Sequence, residues 1–327
     1  MTICVFGAGA IGCWLAARLQ RAGLRPSLVA RGDHLRALRT SGLRITEDGH
    51  TETLQVNARG VEDDLPPQDL IIVTLKAHSI TSALDHLTSL CHDETVLVFG
   101  VNGIPWWFFH GMDGPFAERT IASVDPGNQI WEAIKPQRAI GCVLYPAAEL
   151  LAPGEVQHVS GNRISLGEPS GKMSARVEEV MNVLLSADIR ASVRRDIRNE
   201  IWIKLWGNVA FNPLSVLTGA TLDHLATNPG TNAIARRLME ETQTIGASYG
   251  ARFGMTIDKR LQGAAAVGPH KTSMLQDYLH GKPLESSAML DGVLELGELA
   301  QIEAPTIRMM QAMLAMKLAS ERHPNNS

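Results

Sequence analysis

Three polar side chains interrupt an otherwise apolar helical segment in the second half of the chain. Residues 200–213 read EIWIKLWGNVAFNP, and Lys204, Asn208 and Asn212 recur in it at a spacing of four. Because an α-helix has about 3.6 residues per turn, this spacing places the three on one narrow stripe. Such a stripe is ordinarily a solvated face. Asparagine is unfavourable inside a helix, however, so two of them on one face suggest a functional role. Pro213 should bend or end the helix here, so the stripe suits the wall of a cleft.

A second group of residues near the N-terminus could bind a nucleotide. Residues 2–6 predict a buried strand, and the apolar spacing over 13–22 predicts a helix. The turn between them has the GxGxxG pattern and consists of Gly7, Ala8, Gly9, Ala10, Ile11 and Gly12. In this strand–turn–helix setting the pattern predicts a dinucleotide site, because the glycines allow a tight turn and close approach to a pyrophosphate. The N–H groups at the start of the helix would bind the phosphates.

The residue after the second predicted strand, 27–30, bears on the choice of nicotinamide cofactor. An NAD enzyme places an acidic side chain there, to bind the ribose 2′-hydroxyl. This chain has Arg31, whose guanidinium would bind the 2′-phosphate of NADP through charge-assisted hydrogen bonds. The sequence therefore favours NADPH, although Asp33 keeps NAD open.

The remaining elements predict an α/β fold of two domains. Apolar runs at 70–77 and 95–103 predict central parallel strands, with a helix over 79–90 between them. Lys76 and Asn102 follow these strands, at the sheet edge where ligands bind. Further strands, antiparallel at least in part, are expected at 139–145, 154–161 and 163–168, and a helix at 175–185.

From 196 onward only helical spacing remains. We therefore expect an N-terminal Rossmann-type dinucleotide-binding domain over 1–195 and an all-helical substrate and catalytic domain over 196–327. A length of 327 residues is sufficient for two separate cores.

Composition excludes several classes of protein. A formal net charge of −4 argues against a dedicated nucleic-acid binder, and no apolar run reaches the roughly 18 residues that span a membrane. The N-terminus lacks the basic leader of a signal peptide. Four cysteines without a CxxC pair predict reduced thiols in a cytoplasmic protein, and the absence of HExxH predicts no metal site.

A third segment of interest is HKTSMLQDYLHGKPLES, residues 270–286. Ser273 and Asp277 share one face of a predicted helix, and Glu285 follows the turn that comes after it. Taken singly, each of these residues is more often a cap or a surface group.

Taken together, these motifs resemble the ketopantoate reductase (2-dehydropantoate 2-reductase) family. The resemblance rests on GAGAIG, the strand ends VTLKA and NG, the helix WIKLWGNVAFNPLSVLTG, and SMLQD with an acidic residue downstream. It implies a Rossmann-type domain, a helical domain and a substrate cleft between them. It also implies NADPH-dependent reduction of a 2-oxo acid to a 2-hydroxy acid, with conversion of 2-dehydropantoate to pantoate in pantothenate biosynthesis as the first expectation.

The resemblance also implies a role for each matching residue. The catalytic lysine and the active-site glutamate fall on Lys204 and Glu285. The residues that would bind the substrate are Asn208, Asn212, Ser273 and Asn102. Those that would bind the cofactor, besides the glycine turn, are Arg31, Lys76 and again Asn102.

The chemistry of the side chains agrees with these roles. Reduction of a ketone builds negative charge on its oxygen, so a positioned cation that can donate a proton lowers the barrier. Lys204 is the only ionisable member of the stripe. The carboxylate of Glu285 could orient a substrate hydroxyl or help to hold the lysine.

One segment departs from the family pattern. Residues 104–116 read IPWWFFHGMDGPF, where family members continue in a polar helix. The four aromatic side chains of 106–109 either line the substrate pocket or pack into the core or into a homodimer contact. Under either alternative, this departure makes a bulkier or more apolar 2-oxo acid a candidate substrate beside 2-dehydropantoate.

Two other functions stay open. A β-hydroxyacid dehydrogenase also combines a Rossmann domain with a Lys-x-x-x-Asn helix, but its glycine-rich approach to the lysine is missing from RNEIWIK. A regulator that senses NADP without turnover would not need Lys204, Ser273 and Glu285 together.

Overall fold

The computed structural model describes residues 1–322, and contacts between α-carbons divide the chain into two compact units. The first unit comprises 1–101, 106–120 and 127–197, and the second comprises 102–105, 121–126 and 198–327. The main boundary thus falls between Ile197 and Arg198, close to the division at 195. Two short segments that precede this boundary in sequence, 102–105 and 121–126, nevertheless group with the helical unit.

The first unit contains twelve strands among the described residues. In chain order they are β1 Ile3–Phe6, β2 Ser27–Val29, β3 Leu43–Glu47, β4 His50–Leu54, β5 Asn57–Arg59, β6 Gln68–Val73, β7 Cys91–Phe99, β8 Ala139–Leu144, β9 Ala147–Ala152, β10 Glu155–Ser160, β11 Arg163–Gly167 and β12 Arg190–Val193. Its helices are α1 Ala10–Arg21, α2 Gly32–Ser41, α3 Leu84–Ser89, α4 Gln129–Ile134 and α5 Ala175–Ser186.

The main sheet has eight strands in the order β12-β11-β8-β7-β6-β1-β2-β5. All neighbours are parallel except β8 and β11, as expected for a Rossmann-type sheet with an antiparallel extension. Apolar runs such as LIIV in β6 are buried because both faces of a parallel sheet are covered. The predicted fold class is confirmed.

A second sheet of four strands, in the order β4-β3-β10-β9, was not predicted. It is joined to α1 through Trp14, whose indole N–H donates to Glu47 Oε1 at 3.2 Å and whose ring stacks on His158 at 5.5 Å. Arg18 on α1 also donates to Glu47, at 2.6 Å. This sheet therefore supports the helix that follows the glycine turn.

One detail of the predicted secondary structure was wrong. The helix expected over 79–90 is two short 3₁₀ turns followed by α3, which begins only at Leu84. The strand expected over 154–161 exists as β10, which pairs antiparallel with β9 in the second sheet.

The aromatic segment 106–109 is core, not the lining of a pocket. Its four side chains are at most 2% exposed. Trp106 packs edge-on against Phe99 and Trp131, at ring distances of 5.4 and 6.2 Å. Trp107 lies so close to Gly141 of β8 that a Cβ there would approach the indole to 2.7 Å. Burial inside the first unit also removes these side chains from any homodimer contact.

The second unit is helical in its described part. Its elements are α6 Ile197–Thr218, whose first residue belongs to the first unit, α7 Leu222–Thr227, α8 Pro229–Ser248, α9 Ile257–Ala266, α10 Ser273–Leu279, a π-turn Ser287–Asp291, α11 Gly292–Leu299 and α12 Pro305–Arg322. Within residues 1–322, none of the helices has the length and apolarity needed to cross a membrane.

Candidate functional site

The glycine turn between β1 and α1 has the backbone that its sequence predicts. Gly7 has a φ of +116°, which side chains with a Cβ rarely adopt. A Cβ at Gly12 would lie 1.9 Å from the Gly7 carbonyl oxygen, so α1 can start this close to the strand only with glycine. A Cβ at Gly9 would meet nothing within 4 Å, which leaves open space beside the backbone for a phosphate group.

The turn is held by contacts that the sequence analysis missed. Thr74, directly after β6, donates its hydroxyl to the Gly7 carbonyl at 2.6 Å. The N–H of Ala8 donates to the Val29 carbonyl at 3.0 Å. Thr74 could have been identified from the sequence as a candidate, because it is a polar residue directly after a buried apolar strand. These bonds fix the turn, and with it the start of α1.

The start of α1 can bind an anion. Its first hydrogen bond runs from the Cys13 N–H to the Gly9 carbonyl at 2.9 Å, so the N–H groups of Ala10, Ile11 and Gly12 precede the hydrogen-bonded ladder. Their partial positive charge favours a pyrophosphate. Cys13 takes no part as a nucleophile, because burial raises the pKa of its thiol to about 12.

Arg31 lies immediately before α2, in extended backbone and exposed to solvent. The competing acidic residue, Asp33, pairs with Arg36 one helical turn further on. Lys76 is half-buried at the start of the 3₁₀ turn that follows β6, where its carbonyl accepts from the Ser79 N–H.

The polar stripe lies on α6 in the second unit. Lys204 and Asn208 are half-buried and Asn212 is 5% exposed, so the stripe is not a solvated face. The helix does not stop at Pro213 but continues to Thr218. The Ser215 hydroxyl donates to the Asn212 carbonyl at 2.7 Å within the same helix.

Asn102 and Glu285 are brought together within the second unit. The side-chain amide of Asn102 donates to Glu285 Oε2 at 3.2 Å, and Glu285 is 4% exposed. A buried carboxylate requires such a donor. The predicted cofactor and substrate residue thus contacts the predicted active-site glutamate.

The two hydroxyl residues at the start of α10 differ in burial. Ser273 begins α10 and is exposed, whereas Thr272 is buried and caps the helix by accepting from the Leu275 N–H at 3.2 Å. The Thr272 hydroxyl also contacts the Ser215 hydroxyl at 2.6 Å, which ties α10 to α6. The sequence gives no signal for this link, because the two residues are 57 positions apart.

Each unit therefore offers a distinct chemistry. The first has a glycine turn with space for a phosphate group and an arginine beyond it. The second has a cation, a buried carboxylate and three amides. Among residues 1–322, no group of three or more histidine, cysteine or acidic residues could hold a metal ion.

Comparison with family models gives two matches. Residues 3–171 match the model described as ketopantoate reductase PanE/ApbA, and residues 196–318 match its C-terminal model. A curated 2-dehydropantoate 2-reductase from Mesorhizobium japonicum is 50% identical over 323 residues, which are 98% of this chain and 99% of the relative.

Solved structures show the same fold. A protein from Ralstonia solanacearum MolK2, provisionally named a ketopantoate reductase, has a TM-score of 0.92 and 37% identity, over 99% of this chain and 98% of that one. D-mandelate dehydrogenase, in a ternary structure with NADH and anilino(oxo)acetate, has a TM-score of 0.85 at 17% identity, over 98% and 99% of the two chains. At that identity the likeness concerns the fold alone.

Proposed function

Because the chain belongs to the ketopantoate reductase family, we propose that it reduces 2-dehydropantoate to pantoate with NADPH. The observation that carries this proposal is the 50% identity with a 2-dehydropantoate 2-reductase over almost the whole of both chains. This reaction is a reduction of a 2-oxo acid to a 2-hydroxy acid, as the resemblance to the family predicts. The family match favours this function over the two alternatives, a β-hydroxyacid dehydrogenase and a non-catalytic regulator.

The proposed cofactor is NADPH, bound by the first unit. The glycine turn 7–12 and the start of α1 would hold the pyrophosphate, and Lys76 would contact the cofactor further along. Asn102, which groups with the second unit, is the remaining residue that the family resemblance assigns to the cofactor. Arg31 would bind the 2′-phosphate, which NADH lacks. The pairing of Asp33 with Arg36 supports this choice, because the arginine partly offsets the negative charge with which Asp33 would repel a 2′-phosphate. NADH, seen in the structural neighbour D-mandelate dehydrogenase, is the alternative.

Lys204 is the proposed general acid. When bound, the reduced nicotinamide supplies the hydrogen and two electrons that reduce the C2 carbonyl. The Lys204 ammonium would stabilise the negative charge that grows on the carbonyl oxygen and then donate a proton to it. Its half-buried position on α6 supports this role, because a charge is worth more where water is partly excluded.

The other residues of the second unit would position the substrate. Glu285 is held by Asn102 and would orient the substrate hydroxyl or the lysine. Asn208, Asn212 and Ser273 would supply neutral hydrogen bonds to the hydroxyl and carboxylate of the substrate. In this proposal 1–195 is the cofactor domain and 196–327 the substrate and catalytic domain.

The bulkier 2-oxo acid is not proposed as the substrate. Its support was the departure of segment 104–116 from the family pattern, and the 50% identity with a 2-dehydropantoate 2-reductase outweighs it. A cytoplasmic location is proposed on the four free cysteines, Cys4, Cys13, Cys91 and Cys142, which a reducing compartment would keep as thiols.

The decisive experiment follows NADPH oxidation with a panel of 2-oxo acids. We expect 2-dehydropantoate to give the highest kcat/KM among 2-dehydropantoate, 3-methyl-2-oxobutanoate, pyruvate and phenylglyoxylate. Lys204→Ala should lower kcat on the best substrate by about 10²–10⁴-fold, the size of combined acid and electrostatic catalysis. The Kd for NADPH should stay within about twofold of the wild-type value, because the lysine is proposed to stabilise the transition state and not to bind the cofactor. A higher kcat/KM for phenylglyoxylate, or a fully active Lys204→Ala, contradicts the proposal.

A further inference from the structure

The side-chain amide of Asn212 has an unusual partner. Its Nδ2 donates to the thioether sulfur of Met289 at 3.5 Å, and the two residues are 5% and 1% exposed. Asn212 is a stripe residue of α6, whereas Met289 lies 77 positions further on, in the π-turn 287–291. Met289 was singled out by no sequence motif.

We propose that Met289 orients the Asn212 amide, so that its carbonyl oxygen serves as the acceptor for a hydroxyl of the substrate. The inference rests on the proposed function, because it assigns a role toward a hydroxylated 2-oxo acid. Met289 is thus a positioning residue that determines specificity through Asn212.

The orientation follows from the chemistry of the two groups. An amide has a donor edge and an acceptor edge of nearly equal shape, and either can face a neighbour. A thioether sulfur accepts hydrogen bonds weakly and donates none, so only the NH₂ edge can face it favourably. The opposite flip would place two lone pairs against each other in a buried site. Within residues 1–322 no hydrogen-bond donor contacts Asn212 Oδ1, so that oxygen stays available to a ligand.

The backbone around Met289 fixes the position of its sulfur. The carbonyl of Ala288, the preceding residue, accepts from the Ile104 N–H at 2.8 Å. Gly103 has a φ of +93°, and a Cβ there would lie 2.5 Å from the same carbonyl oxygen. The segment 102–105 therefore contacts the π-turn directly. A π-turn inside a helical segment is rare and is frequent at functional sites.

The same logic applies to a second amide of this unit. Asn102 donates its NH₂ edge to Glu285 Oε2, and an ionised carboxylate likewise only accepts. Two amides are thus oriented by partners that cannot donate, and both are left with their oxygens for other donors. Such an arrangement favours a substrate that carries a hydroxyl over one that lacks it, because an unsatisfied acceptor is costly.

The test replaces Met289 by leucine, which has a similar volume and no acceptor. Met310→Leu is the matched control, since Met310 is buried to 2% in α12 and contacts no proposed site residue through a hydrogen bond. Each variant is assayed with 2-dehydropantoate and with 3,3-dimethyl-2-oxobutanoate, the same 2-oxo acid without the hydroxyl.

We expect Met289→Leu to lower kcat/KM for 2-dehydropantoate by about threefold to tenfold, mainly through KM, as loss of one oriented hydrogen bond would. The value for the analogue should change less than twofold, so the preference for the hydroxylated acid falls. Met310→Leu should leave both values unchanged. An equal loss for both acids, or no loss for either, overturns the inference.

A second measurement does not depend on turnover. The NMR signal of the Asn212 side-chain amide, assigned by its loss in Asn212→Ala, should shift and exchange faster with water in Met289→Leu but not in Met310→Leu. An unchanged signal overturns the orientation by Met289. If the wild-type protein reduces neither acid while the signal moves, the proposed function fails and the orientation of the amide stands.

Discussion

Asn102 donates its side-chain amide to Glu285 across 183 positions of sequence, at a distance of 3.2 Å. The contact links the segment after β7 to the segment after α10, and the glutamate is almost fully buried. A buried carboxylate left without donors would be costly, so Asn102 is part of what keeps Glu285 in place. Both residues were predicted to belong to the site, but their contact was not.

The first prediction concerns this pair. Asn102→Asp sets two carboxylates against each other and should destabilise the protein by about 1–3 kcal/mol, and Glu285→Gln should cost less. The double variant restores an amide–carboxylate hydrogen bond with the donor on the other side. Urea unfolding at neutral pH should therefore give a coupling energy of about 1 kcal/mol or more. Strict additivity of the two changes would show that the contact contributes nothing.

The second prediction concerns the cofactor. Arg31→Ala should weaken NADPH binding by about 1.5–3 kcal/mol, roughly 10–100-fold, because charged hydrogen bonds to the 2′-phosphate are lost. NADH binding should change little. Arg44→Ala is the control, since Arg44 pairs with Glu155 in the second sheet and its removal changes the net charge equally. Fluorescence titration of the wild type and both variants with NADPH and with NADH measures the six dissociation constants. Equal affinities of the wild-type protein for NADPH and NADH would refute the role of Arg31.

The elements that the sequence predicted best are those whose signal is local. The run LIIV of β6 is buried on both faces, and the turn 7–12 follows from the need for glycine at Gly7 and Gly12. The stripe on α6 was visible because helical periodicity alone places its members on one face.

Of the second sheet only strand β10 was predicted, because the pairing of strands that are distant in sequence leaves no local pattern. Strand β4 reads HTETL and is largely exposed, so it shows no apolar alternation. What holds the sheet is Glu47, whose partners Trp14 and Arg18 come from a helix that precedes it. The π-turn could not be predicted from the sequence either, because its Ala288 carbonyl accepts from the N–H of Ile104, which is far away in sequence. Nor does Pro213 end its helix, because the burial of α6 outweighs one missing hydrogen bond.

The third prediction concerns the aromatic segment. Trp107→Ala should lower the free energy of unfolding by about 3–5 kcal/mol, since it opens a cavity beside Gly141 in the core. Trp107→Phe keeps part of the packing and should cost less. Both variants, assayed below their melting temperatures, should have KM values for the 2-oxo acid within about twofold of wild type. A raised KM with unchanged stability would instead indicate that the aromatic segment lines the substrate pocket.

The last prediction is a pH dependence of stability that arises at Glu47. Burial raises the pKa of this carboxyl, but hydrogen bonds from Arg21, Arg18 and Trp14 outweigh burial, and the pKa is lowered overall. Its side chain is 10% exposed, and Arg18 and Arg21 both lie 2.6 Å from it. The unfolded chain, with a glutamate pKa of about 4.3, therefore binds this proton before the folded protein does as the pH falls.

The stability from Glu47 is consequently complete above the unfolded pKa and is lost as the pH falls through the folded pKa. Glu47→Gln should be less stable than wild type at pH ~7, by about 1–3 kcal/mol for the lost charged hydrogen bonds. Below pH ~5 the difference in stability should shrink, because protonation of Glu47 removes from the wild type the charged hydrogen bonds that the variant lacks at every pH. Glu52→Gln is the control, since Glu52 also contacts Arg21 but is 48% exposed and should contribute little. Urea unfolding of the three proteins from pH ~7 to ~2.5, a range that extends well below the unfolded pKa, measures this, and a difference that stays constant over that range would exclude Glu47 as its source.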